Sequence, residues 1–127
     1  MKRILLASVL FSTIALADDF ADRAAEAKRA SSTPEGRKYD QSLVPAIGAA
    51  MRACVPPDST SPADLGKFTL IGFVASSGAV SLIEVQPKTE VSVCFAAQFE
   101  QARFASPPKS GQSKLGFPIA VEMSVVP

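Results

Sequence analysis

The sequence has no His, no Trp, a single Tyr and only two Cys. Without His, the chain lacks the commonest general base and the commonest metal ligand. Two thiols cannot by themselves complete a structural zinc site, which takes about four ligands. Charge is sparse and balanced: 20% of residues are charged and the formal net charge is +1. That leaves no strong field to draw in nucleic acid or an anionic membrane surface. Ten Pro and seven Gly disfavour a bundle of long, simple helices. What is present is 47% hydrophobic residues in 127, enough to bury the core of one domain.

The chain starts with Lys2-Arg3 and an apolar run over residues 4–16. Ala15-Leu16-Ala17 closes that run, and Asp18-Asp19 follows directly. A basic start, a short apolar stretch and a small-x-small site form the pattern of a secretory signal peptide, expected over residues 1–17. A membrane anchor would need roughly 20 apolar residues. No Cys follows the site to carry a lipid. Cleavage after Ala17 would leave 110 residues with eleven basic and twelve acidic side chains, net −1. Stable membrane insertion is not expected after cleavage.

Residues 18–33 have good helix propensity, but Phe20 is their one large apolar side chain. They are expected to form a polar surface helix or a flexible lead-in. Thr33-Pro34-Glu35 then reads as an N-cap with Pro at the first helical position. Tyr39, Leu43, Ile47, Ala50, Met51 and Cys54 follow one helical stripe. Pro45 lies inside that stripe and is expected to kink the helix without ending it. Val55-Pro56-Pro57-Asp58 stops it, and a polar loop covers residues 59–66.

Residues 67–74 (KFTLIGFV) and 79–85 (AVSLIEV) read as the strands of a hairpin. Gly78 closes the turn Ala75-Ser76-Ser77-Gly78, where it suits a positive φ. Gly72 marks a bulge, a close backbone contact or room for a helix side chain. Pro87 ends the second strand. Thr89 is an N-cap, and Val91, Cys94, Phe95, Phe99 and Ala102 form a second helical stripe. A Pro-rich turn, Phe104-Ala105-Ser106-Pro107-Pro108, and a solvated loop over residues 109–114 follow. Residues 117–126 alternate, with Phe117, Ile119, Val121, Met123 and Val125 on one face. Pro118 near the start of this run suits an edge strand. Residues 34–127 are therefore expected to form a single α+β domain. Its two helices would pack on one face of a three-stranded antiparallel sheet, in the order α-β-β-α-β.

Cys54 ends the first apolar stripe and Cys94 lies on the second, so both thiols face one core. In an oxidising compartment such a pair is expected to form a structural disulfide. Closing a loop of about 40 residues would stabilise the fold by about 4 kcal/mol on the chain-entropy model. Two free buried thiols are the alternative; a redox pair would lack its usual C-x-x-C spacing.

Taken in order, these residues resemble the C-terminal domain family of TonB, the periplasmic energy transducer of Gram-negative bacteria. Within it they are most similar to the two-cysteine branch called AgmX/PglI C-terminal. The resemblance rests on a helix ending in Cys54, the strand Gly66-Lys67-Phe68-Thr69 and the turn Gly78-x-Val80. It continues through Cys94 in the next helix, Phe104-x-x-Pro107-Pro108, and a closing strand with Pro118 near its start. It covers about residues 39–126. It implies a TonB C-terminal-like fold in the periplasm of a Gram-negative bacterium. It also implies recognition of a protein or extended peptide by β-augmentation along residues 117–126, where the candidate residues are Phe117, Ile119, Val121, Met123 and Val125. Their alternation is equally what core packing imposes. TonB proteins carry an uncleaved membrane helix and a long Pro-rich spacer; this sequence has a cleavable signal and no spacer. The resemblance therefore implies the fold without proton-motive work.

Little else in the chain carries chemistry. Ser106-x-x-Lys109 and Lys109-Ser110-Gly111 match two motifs of Ser-Lys acyl enzymes, but here they share one lysine in a chain too small for that fold. Gly66, Gly72 and Gly78 fall in strands and turns and form no phosphate loop. Lys109, Gln112 and Lys114 read as a solvated loop. The expectation is a small exported non-enzymatic protein with no cofactor, no metal and no nucleic-acid partner, working through protein binding in envelope transport or assembly. An inhibitor or immunity protein that blocks an envelope-acting enzyme is the alternative. The oligomeric state stays open.

Overall fold

The structure is a computed structural model that describes residues 14–55 and 66–125, with side chains from Asp19 onward. The loop expected over residues 59–66 lies almost wholly outside the described residues, as does most of the expected signal peptide. Seven elements follow one another: α1 (Ile14–Ser31), α2 (Pro34–Ser42), α3 (Val44–Cys54), β1 (Gly66–Val74), β2 (Val80–Gln86), α4 (Glu90–Gln101) and β3 (Phe117–Val125). The class is α+β and the sheet is three-stranded and antiparallel, in the order β2-β1-β3.

Two expectations about the helices need correction. The stripe through Pro45 is two helices, not one kinked helix. They meet at Leu43, which is both the C-cap of α2 and the N-cap of α3 and has right-handed helical angles, φ −81° and ψ −15°. Pro45 cannot donate to the carbonyl four residues back and its ring crowds that turn, so the helix breaks just before it. Leu43 nonetheless stays in the core at 2% exposure, which is why its apolar stripe crosses the break undisturbed.

The second concerns residues 18–33: of the two forms expected, residues 18–31 take the helical one, within α1, but this helix packs across β3 and β1 and is not a polar surface element. Phe20, Ala27 and Ala30 are buried along it. Among the described residues the sheet is therefore covered on both faces, not on one alone. On one face of β1, Phe68, Leu70 and Val74 join Phe117, Ile119 and Val121 of β3 and Phe95 and Phe99 of α4 in the main core. On the other face, Ile71 and Phe73 are buried outside that cluster. Arg23 of α1 lies over the Phe73 ring, 4.9 Å from its centroid, which places α1 on this second face.

Local signals explain most boundaries. The Thr33 hydroxyl accepts from the Gly36 amide at 3.0 Å, with Pro34 opening α2. Gly36 is required by proximity: a Cβ there would fall 2.0 Å from the Ala30 carbonyl, where α1 ends against α2. Thr89 and Ser92 cap α4 reciprocally, the Ser92 amide donating to Thr89 and the Thr89 amide to Ser92 Oγ. Ser92 Oγ also donates to the Pro87 carbonyl at 2.8 Å, which satisfies a fully buried hydroxyl. Gly78 has φ +86°, as its turn requires, and a Cβ there would meet the Phe104 carbonyl at 1.9 Å.

Candidate functional site

The two cysteines meet as the sequence suggests. Cys54 closes α3, Cys94 sits in the second turn of α4, and they form a disulfide with Cα atoms 5.7 Å apart across a separation of 40 residues. The bond ties the helix pair that covers one face of the sheet. Both sulfurs are engaged in it, and no free cysteine remains.

Phe117, Ile119, Val121 and Val125 are buried at 1%, 1%, 7% and 9% exposure, and Met123 is half-buried against the same core. Their side chains point inward beneath the helices, so they do not form a contact surface. What β3 offers is its backbone. One edge pairs with β1 through nine successive residues without a register shift, and no strand among the described residues pairs with the other edge.

The opposite edge, β2, is built differently. The β1–β2 register shifts between Ile71 and Phe73, so Leu82 and Ile83 together oppose Gly72. This is the bulge that Gly72 allowed as one of its readings. Leu82 takes φ +52°, the only positive φ among the described non-glycine residues. Its carbonyl accepts a hydrogen bond from Arg23 Nη2 of α1. Arg23 Nη1 also lies 3.5 Å from Glu84, and its Nε is buried without a partner. A cation desolvated against an aromatic ring and fixed by a carboxylate and a carbonyl is well anchored. One α1 side chain therefore holds the middle of β2, and with Pro87 just beyond its end this edge is poorly suited to accept another strand.

Neither Arg23 nor Leu82 was legible as a functional candidate. Arg23 lies in a polar Ala-rich stretch, and a leucine within a β-run carries no sign of a left-handed backbone. One signal could have found the second layer. Leu70-Ile71-Gly72-Phe73-Val74 is a continuous apolar run, typical of a strand buried on both faces.

Tyr39 reaches between layers. Its ring meets Phe117 edge-on at 5.3 Å, and its hydroxyl donates to the Ala105 carbonyl at 2.9 Å. With Glu35, Lys38 and Ser42 it borders an open apolar groove against Ala105, Ser106, Pro107 and Pro108. Burial, followed by the Asp40 carboxylate, pushes the Tyr39 phenol up to about 12. The folded state therefore favours the neutral phenol. The stability this represents is complete below the ordinary tyrosine pKa of about 10 and is lost as pH rises through 12. Because the chain has one Tyr and no Trp, its near-ultraviolet tyrosinate absorbance reports this group alone. That titration should centre near pH 12 in the folded protein and near 10 in urea; a folded midpoint near 10 would show an open hydroxyl.

Among the described residues, no three His, Cys, Asp or Glu side chains converge as a metal site would require, and no helix is long and apolar enough to cross a membrane. Ser106 and Lys109 are exposed on their loop. Comparison with protein-family models, curated proteins and solved structures returns no match for this chain.

Proposed function

We propose that this protein is a small exported domain of the Gram-negative periplasm, TonB C-terminal-like in architecture, that binds a protein partner by β-augmentation. An extended segment of the partner adds along the outer edge of β3, supplying main-chain hydrogen bonds. Its role is non-enzymatic and lies in envelope transport or assembly. The observation that carries this reading is the asymmetry between the two edges. Exposed edges are normally blunted by bulges, Pro, charge or a covering side chain. The β2 edge has a bulge, a left-handed residue and Arg23 on its carbonyl. The β3 edge runs straight for nine residues, with Pro118 only near its start.

Successive amides along a strand point to opposite edges. Val121→Pro and Glu122→Pro therefore test different ladders. One of them should break the pairing with β1 and destabilise the domain. The other should leave it folded and abolish capture of the partner from crosslinked periplasmic extract. Undiminished capture by the folded variant would count against docking at β3. A captured lytic enzyme or toxin, in place of a transport or assembly component, would assign the same edge to an inhibitory role.

A further inference from the structure

We propose that the Cys54–Cys94 bond is a redox latch on α3: a dithiol reductant opens it, α3 lifts from α4, and the Phe99 side of the core is uncovered. The latch lies in the helical layer and does not depend on docking at β3. The two helices that the bond joins are held to the domain unequally. α4 buries Val91, Ser92, Phe95 and Phe99 and has a reciprocal cap at its start. α3 fully buries Ala50 alone, with Ile47 and Met51 only partly buried against the core. Its start has no side-chain cap, and Gly48 lies within it. A helix of 11 residues that contains glycine is marginal where little packs against it.

The contact between the two helices is uneven along its length as well. At one end Cys54 and Cys94 are bonded. At the other, Ala46, Ala49 and Ala50 share an open groove of about 260 Å³ with Gln98, Phe99 and Ala102. The ion pairs among the described residues, Arg23–Glu84 and Lys28–Glu122, do not involve α3. The covalent bond is therefore the strongest tie between α3 and α4. An element with few buried apolar contacts is the first to open once such a tie is cut. Phe99, 1% exposed in the latched form, lines the groove and is uncovered when α3 leaves.

Both cysteines are partly exposed, so a thiolate can reach the bond. The reductant is a dithiol of the thiol–disulfide oxidoreductase class. One of its thiolates attacks a sulfur of the pair and forms a mixed disulfide, which its second thiolate resolves. Two electrons and two protons pass to Cys54 and Cys94, which become thiols, and the reductant leaves as a disulfide. Exchange with an oxidised member of the same class reverses these steps and reseats α3.

Hydrogen exchange in the full chain, oxidised and then reduced with dithiothreitol under native conditions, tests the latch. Reduction also loosens the domain as a whole, so the decisive quantity is the difference between elements. The α3 amides should lose protection at least about tenfold more than those of α4 and β1. The paired variant Cys54→Ser and Cys94→Ser should show the same pattern without reductant, and reoxidation of the wild-type chain should restore its protection. Three results would overturn the proposal: loss by a common factor in α3, α4 and β1, unchanged α3 exchange after reduction, or a bond that dithiothreitol leaves closed in the native state. A paired variant that fails to fold counts with the first, because the bond then holds the whole domain and not α3 alone.

Discussion

Replacing Phe95 with Ala should lower the free energy of unfolding by about 3–5 kcal/mol. Phe95 has 0% exposure at the point where α4 meets the sheet. It stands edge-on to Phe68 of β1 at 5.3 Å and stacks on Phe99 at 4.9 Å. Phe99 in turn contacts Phe104 at 5.4 Å, so the chain of rings runs from the central strand to the segment leaving α4. Truncating the middle ring removes apolar burial and leaves a cavity bordered by two other aromatics that cannot easily collapse into it. A domain of this size has only about 5–15 kcal/mol of stability in total. The variant should therefore show a much lower urea midpoint at an unchanged slope. Val93→Ala, on the same helix at 52% exposure, should stay within about 0.5 kcal/mol of wild type. A Phe95→Ala loss as small as the control's would mean that the rings carry little of the packing.

Removing the disulfide with paired Cys54→Ala and Cys94→Ala substitutions should cost about 2–4 kcal/mol. The bond closes a 40-residue separation that includes the whole β1–β2 hairpin, so the unfolded chain gains much freedom when it is absent. Reductant added to the wild-type protein should reproduce the variant's melting curve. If reduction leaves the midpoint unmoved, α3 and α4 hold each other without the covalent link. Cys94 and Phe95 are neighbours in α4, so the disulfide and Phe95→Ala losses should not simply add. Their interaction is measurable in a double-mutant cycle, and strict additivity would show that the two ends of the interface relax independently.

Elements with strong apolar contrast were legible in the sequence. The second helical stripe places α4 within a residue of its observed end, with Thr89 as its cap. The alternation from Phe117 to Val125 describes β3, and Gly78 has the positive φ its turn requires. The pairing of Cys54 with Cys94 follows from two helical faces that share a core. Contrast failed at α1. Its buried stripe consists of Phe20 and alanines, with an arginine among them, and alanine scarcely distinguishes a core face from a surface one. The division at Leu43 was masked because the apolar stripe continues through it and Leu43 itself keeps right-handed helical angles.

The site shows the same division. That Phe117, Ile119, Val121, Met123 and Val125 share one face is a property of strand period and needs no structure. Whether that face meets a helix or a partner depends on what packs over it, and in the folded chain α2, α3 and α4 do. The sequence alone determined the cysteine pair, the hairpin and the closing strand, because each is written in local periodicity or composition. Only the tertiary structure decided that α1 covers the second face of the sheet, that Arg23 meets the carbonyl of a left-handed Leu82, and that no strand among the described residues pairs with the outer edge of β3. Those outcomes depend on residues about 60 positions apart meeting in space, as Arg23 and Leu82 do, and local pattern carries no record of such distant contacts.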